Sequence, residues 1–218
     1  MYIRSPHAQQ GQYDSHMKGI SMATHLLRIL REEHQSLNVM LDALQMVVRR
    51  GPGLAPQRFF DIVRTMLVYV REFSEHVHYP KESQLVFPGV LRAARDTQGA
   101  ITGLEEAHRL SVMELGVLQS LLVDWQQGGP AQRKGFERAA HRFCADYRAQ
   151  IRVVEVAIIP VAEQLISDAQ WDTLAQRYQT SQNHSKSLSS KNSGYRAIYA
   201  RIALWLTRIL SPTALVQK

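Results

Sequence analysis

The chain has 218 residues, 45% of them hydrophobic and 21% charged, the balance of an ordinary globular protein with enough length for one substantial core. A single cysteine, Cys144, excludes an internal disulfide framework and points to a reducing compartment, so cytoplasmic localisation is expected. The formal net charge of +7 comes from basic residues scattered along the chain, which argues against nucleic acid as a partner, and no run of about 18 apolar residues offers a membrane span.

Residues 1–23 are polar and without period, and read as a disordered leader. From Thr24 onward Leu27, Leu30, His34, Leu37, Leu41, Leu44 and Val48 step by threes and fours, the signature of one buried helix face, which Gly51-Pro52-Gly53 ends. A second helix carries Phe60, Val63, Leu67, Val70, Ser74, His78, Glu82 and Leu85 on its seam. Pro80 predicts a kink inside it and Pro88 its end. A third reads Ile101, Leu104, His108, Ser111, Leu115, Leu118, Leu122 and Trp125, broken at Gly128-Gly129-Pro130. A fourth reads Phe136, Ala140, Phe143, Tyr147, Gln150, Val154, Ala157, Val161 and Leu165, with Pro160 as a second predicted kink.

Short breaks between long amphipathic helices make consecutive helices antiparallel neighbours. The predicted fold is therefore all-α: an up-down-up-down four-helix bundle over residues 24–180, with additional C-terminal helices. A short fifth helix from Asp168 to about Gln179 is anchored by Trp171. A Ser/Asn/Lys-rich linker spans 181–194, and a last helix lies within 195–218. That last helix, with Ile198, Ile202, Trp205 and Ile209 on one side, either docks on the bundle or lies along an acidic membrane surface through its arginines. Its linker is long enough for a monomer or a domain-swapped homodimer.

Seam positions are normally aliphatic, because burying a polar ring without partners costs about 1–3 kcal/mol. Here His34, His78, Glu82 and His108 occupy the seams of three helices at similar depth. His78 and Glu82, four apart, project from one face and can reach one ion. The plain alternative is that each is a satisfied core residue, but four such coincidences point to a metal ion as the partner. The other histidines carry no such pattern: His76 points about 160° from His78 by the helical period. Cys144 flanks the fourth seam as a small buried hydrophobe, and no nucleophile–base constellation marks an enzyme.

The run His78-Tyr79-Pro80-Lys81-Glu82, with Leu85-Val86-Phe87-Pro88 behind it, resembles the second-helix motif of the hemerythrin HHE cation-binding family, with Tyr79 where a second histidine is usual. His34 in Glu-Glu-His and His108 in Glu-Glu-Ala-His match the single histidines of that family's first and third helices. Ile159-Pro160-Val161-Ala162-Glu163 and the segment from Tyr195 resemble its fourth-helix exit and closing segment. The resemblance implies a bundle holding a non-haem di-iron centre, in proteins that carry or sense oxygen, respond to nitric oxide or help repair iron–sulfur clusters. It also implies a second His-x-x-x-Glu pair on the fourth helix. At those places stand Gln150 and Val154, and Glu155 is turned about 100° away by the helical period.

Two iron(II) ions would bring four positive charges against Glu82 alone, so the expectation is at most one ion per chain. His34, His78 and Glu82 suit iron; with His108 they suit zinc. A bundle with no metal remains if the site has decayed. The expected function is non-enzymatic metal binding, for handling or sensing iron, oxygen or nitric oxide. The alternative is a metal-free interaction module that kept the shape of its relatives.

Overall fold

A computed structural model describes residues 22–53, 55–183, 195, 197–202 and 204 of the chain. Four helical rods dominate them, and no strand occurs among the described residues. The first rod is Met22–Arg50, and Gly51, at φ 76°, turns the chain out of it in the left-handed conformation that glycine adopts without a Cβ penalty. The second begins at Pro56, whose fixed φ suits a first helical position, and runs as Pro56–Phe73. It continues unbroken through a π-helical turn Ser74–His78, one α-turn Tyr79–Lys81, a second π-turn Glu82–Val86 and a closing stretch Phe87–Ala93.

The third rod is Gln98–Gly128. After a 3-10 turn at Gly129–Gln132 the fourth runs Arg133–Val153, then a π-turn Val154–Ile158, then Ile159–Leu165. A fifth helix, Asp168–Asn183, folds back against the first and second rods, with Trp171 buried. Each long rod packs on the next, and the fourth packs on the first, which closes the four into an up-down-up-down bundle. No helix among the described residues is long and apolar enough to cross a membrane.

The buried faces follow the sequence seams for the first three rods, where all but one seam residue is buried; the exception, His108, is half-buried. The fourth rod departs from its seam after Val154: Ala157 and Leu165 are exposed and Val161 is half-buried, while Ile158, Ala162 and Ile166 are buried. The physical reason is the π-turn at Val154–Ile158, whose i→i+5 bonding inserts one extra residue and moves the buried phase forward by one.

The core is not continuous. One apolar cluster, built around Leu37, Leu41, Leu67, Leu118 and Phe143, fills one end of the bundle. A second, built around Leu27, Leu30, Val86, Ile158 and Trp171, fills the other. Among the described residues the buried polar side chains are His34, Ser74, His78, Glu82 and Ser111. Along the rods His34 falls between Leu30 and Leu37, His78 and Glu82 between Val77 and Leu85, and Ser111 between Leu104 and Leu115, where one cluster gives way to the other; Ser74 borders them within the first cluster. A bundle held only by apolar packing would bury one contiguous core. This one carries a polar layer across its middle.

The segment from Tyr195 contributes to the first cluster. Tyr195 meets the ring of Phe73 edge-on at 6.1 Å, Tyr199 lies 5.9 Å from Tyr69, and Ile202 is buried. The last helix therefore docks on the bundle at these residues. The leader up to residue 21, the linker beyond Asn183 and Trp205 to Lys218 lie outside the described residues.

Candidate metal centre

The polar layer has two halves. In the first, His34, His78 and Glu82 are brought together, with one potential ligand atom from each lying within 4.8 Å of the others. His34 Nε2 and His78 Nε2 each stand 3.3 Å from the same oxygen, Glu82 Oε1. The two imidazoles meet edge to face with their centroids 4.8 Å apart. All three side chains are buried.

The outer nitrogens are held as firmly as the inner ones are aimed. His34 Nδ1–H donates to Glu155 Oε1 at 2.5 Å, and His78 Nδ1–H donates to Glu33 Oε2 at 3.1 Å. Carboxylates that take the outer proton of a histidine fix its tautomer and leave the inner nitrogen free to bind a cation. Each is itself matched by a cation: Lys81 Nζ lies 2.6 Å from Glu33, and Arg31 Nε lies 3.7 Å from Glu155.

Glu155 and Glu33 escape a reading by helical period. Val154 faces the interior and Glu155 is turned off that direction, partly exposed, from where it reaches the outer nitrogen of His34 on the first rod. Glu33 lies beside the seam of its own helix and reaches across to the next one.

The electrostatics follow from this geometry. Burial works against a charge on His78, yet the carboxylates of Glu82 and Glu33 together lift its pKa to about 9. Burial likewise opposes charge on Glu82, but His78 and His34 outweigh it and hold the carboxyl at about 2. With both Nδ1 protons committed, an unprotonated Nε2 would turn its lone pair toward the carboxylate oxygen. The arrangement needs a cation between them, either a proton on the ring or a metal ion.

The second half of the layer is different chemistry. His108 is not drawn into the group. Its ring stacks flat on Tyr79, 3.5 Å between centroids and 5° between planes, and its Nε2 stands 2.7 Å from Glu75 Oε1. That buried oxygen receives no aligned hydrogen bond. Burial lowers the pKa of His108, with Glu75 acting in the opposite sense.

Gln150 Nε2 donates to Ser111 Oγ at 2.6 Å, and Tyr147 donates to Ser74 Oγ at 2.7 Å. Neutral hydrogen-bonded pairs and the buried Val154 thus stand where a second ion's fourth-helix ligands are expected. A cavity of about 20 Å³ lies among them, lined by His78, Tyr79, Glu82, His108, Tyr147 and Gln150 with apolar neighbours.

Among the described residues one group of candidate ligands, His34, His78 and Glu82, could hold a metal ion. Glu33 pairs with Lys81, Arg31 is shared between Glu163 at 2.7 Å and Glu155 at 3.7 Å, and Glu82 is the carboxylate that both inward histidines face. Cys144 takes no part: it is buried beside Leu41, and burial pushes its thiol up to about 12.

No curated protein shows significant similarity to the chain. The model of the hemerythrin HHE cation binding domain matches residues 25–162, a span that takes in the four rods as far as Ala162 and every residue of the polar layer. A helical bundle with a buried His-His-Glu group inside that match is the arrangement its name describes, and the chain belongs to the hemerythrin HHE cation-binding domain family.

Proposed function

We propose that the chain binds a single transition-metal ion, iron(II) in preference to zinc, through His34 Nε2, His78 Nε2 and Glu82, and that it serves to bind or sense a small ligand such as oxygen or nitric oxide. The observation that carries this reading is the pair of inward Nε2 atoms facing one carboxylate oxygen while both Nδ1 atoms are anchored to carboxylates. Two histidines and one carboxylate leave coordination positions open, as ferrous sites that take up small ligands require. His108, stacked on Tyr79 and facing Glu75, stands outside this set.

Binding rather than turnover is the better reading because the adjoining cavity, about 20 Å³, has room for a water-sized molecule and none for an organic co-substrate. We place the protein in the cytoplasm as a monomer or homodimer.

A metal-free interaction module is the competing reading, favoured by one feature: a proton on His78 satisfies Glu82 without any metal. Metal analysis of protein from iron-supplemented cells, beside a His78→Ala variant, separates the two. One ion per chain, lost in the variant, supports the mononuclear site. Two ions per chain would overturn it, and none in either protein would leave the interaction module.

A further inference from the structure

The cavity beside Glu82 has one thin wall. On the outer surface, between the third and fourth rods, runs a groove of about 480 Å³. Gly99, Ala100, Gly103 and Ala107 line it on one side, Ala149 and Val153 on the other. Leu104 and Gln150 line both this groove and the small cavity, so single side chains form the wall between the groove and the space next to His78 and Glu82.

The glycines are not there to let helices touch. Gly103 lies inside a 31-residue helix, where glycine is a poorer helix former than alanine. A Cβ built on Gly103, or on Gly99, would meet no atom within 4 Å. Their missing side chains leave the groove open instead.

Across the partition runs one bond between the rods, from Gln150 Nε2 to the buried Ser111 Oγ at 2.6 Å. It is a neutral bond on a side chain with three rotatable torsions, so it is released without separating charges. We propose that this groove is the entrance to the candidate metal centre for a small uncharged ligand, and that Gln150, latched to Ser111, is its gate. The ligand class follows from the passage: the cavity admits a molecule of water size, and Asp146 on the groove wall disfavours anions, while Glu114 is paired with Arg142 at 3.6 Å. The proposal rests on the mononuclear-site reading for what the ligand meets inside, but not for the route.

The test therefore has two arms. In the iron(II)-loaded protein, stopped-flow binding of nitric oxide is followed for the unaltered chain, Gly103→Phe, Gly103→Ala and Gln150→Ala. Filling the groove with Gly103→Phe slows association and dissociation together, by about tenfold or more, and leaves the equilibrium affinity unchanged. Gly103→Ala removes a poor helix former without filling the groove, and leaves both rates as they were. Gln150→Ala raises both.

In the metal-free protein, dissolved oxygen used as a paramagnetic relaxation probe reaches the amides around His78 and Leu104. Gly103→Phe suppresses that relaxation there but not around Leu44, at the far end of the core. Rates and relaxation indifferent to Gly103→Phe would overturn the route. A chain that takes up no iron yet shows the relaxation pattern keeps the route and loses the mononuclear reading.

Discussion

Proton and metal compete for the same nitrogen, and this makes the candidate centre strongly pH-dependent. In the metal-free chain Glu82 and Glu33 hold a proton on His78 up to about pH 9, so at neutral pH an arriving ion must displace it. Each pH unit below that value therefore costs a factor of about ten in affinity. Between pH 6 and 8 the expected gain is about a hundredfold, or roughly 2.7 kcal/mol, and the curve levels above pH 9. The assay is competition of Co(II) or Zn(II) against a chromophoric chelator of known pH dependence at fixed ionic strength.

The metal-free protein must show the converse in its stability. The folded value of His78 lies above its ordinary 6.5, so its stabilisation is complete below pH 6.5 and is lost as pH rises through 9, at about 1.4 kcal/mol per unit. Glu82 is displaced the other way: its contribution is complete above pH 4.5 and is lost as pH falls toward 2. Urea unfolding of the metal-free chain should thus be most resistant between pH 4.5 and 6.5, on the acid side of neutral. A metal affinity that stays flat from pH 6 to 8 would refute the reasoning, because it would mean that no proton occupies the inner nitrogen.

Three further outcomes are expected. Glu155→Ala frees His34 Nδ1 and should weaken metal binding about 10- to 100-fold with stoichiometry unchanged; an unaltered Kd by the same competition assay would remove Glu155 from the centre. The double change Gln150→His and Val154→Glu puts donors on the wall of the cavity, and metal analysis should then find a second ion per chain, whereas without metal the newly buried carboxyl should lower stability by several kcal/mol. Ile202→Ala removes a 1%-exposed side chain from the larger apolar cluster and should cost about 2–4 kcal/mol in a single cooperative urea transition; an unmoved midpoint would mean that the last helix does not fold with the bundle.

Much of this architecture is written in the spacing of apolar residues. Leu27 through Val48 and Phe60 through Leu85 fall on the buried faces because an α-helix repeats every 3.6 residues and the two stripes keep that period. The same reasoning places His34, His78 and Glu82 inside, since they occupy stripe positions. It cannot tell which buried polar groups meet. His108 lies on the third stripe as plainly as His34 lies on the first, yet it stacks on Tyr79 and faces Glu75. Glu33 lies off the stripe and still reaches His78, because a glutamate's length lets it lean over the edge of its own helix.

The remaining failure has a cause that was itself in the sequence. Each of the three π-turns ends two residues before a proline: His78 before Pro80, Val86 before Pro88, Ile158 before Pro160. In each the residue just ahead of the proline donates its backbone N–H five residues back: Tyr79 to Ser74, Phe87 to Glu82, Ile159 to Val154. A proline can neither donate to the carbonyl four residues earlier nor fit against it, and widening the preceding turn relieves both problems without ending the helix.

These prolines are therefore register devices. Two of them set the turns in which His78 and Glu82 sit. The third opens the fourth rod at Val154, six residues before Pro160 just as Glu82 is six before Pro88. In the second rod that position supplies the carboxylate of the layer; in the fourth it supplies a valine, and the next residue, Glu155, turns to His34 from outside. The fourth rod thus has the same widened turn with its carboxylate one residue later, at the rim of the layer and not in its interior. That offset leaves Glu82 as the carboxylate that both inward histidines face.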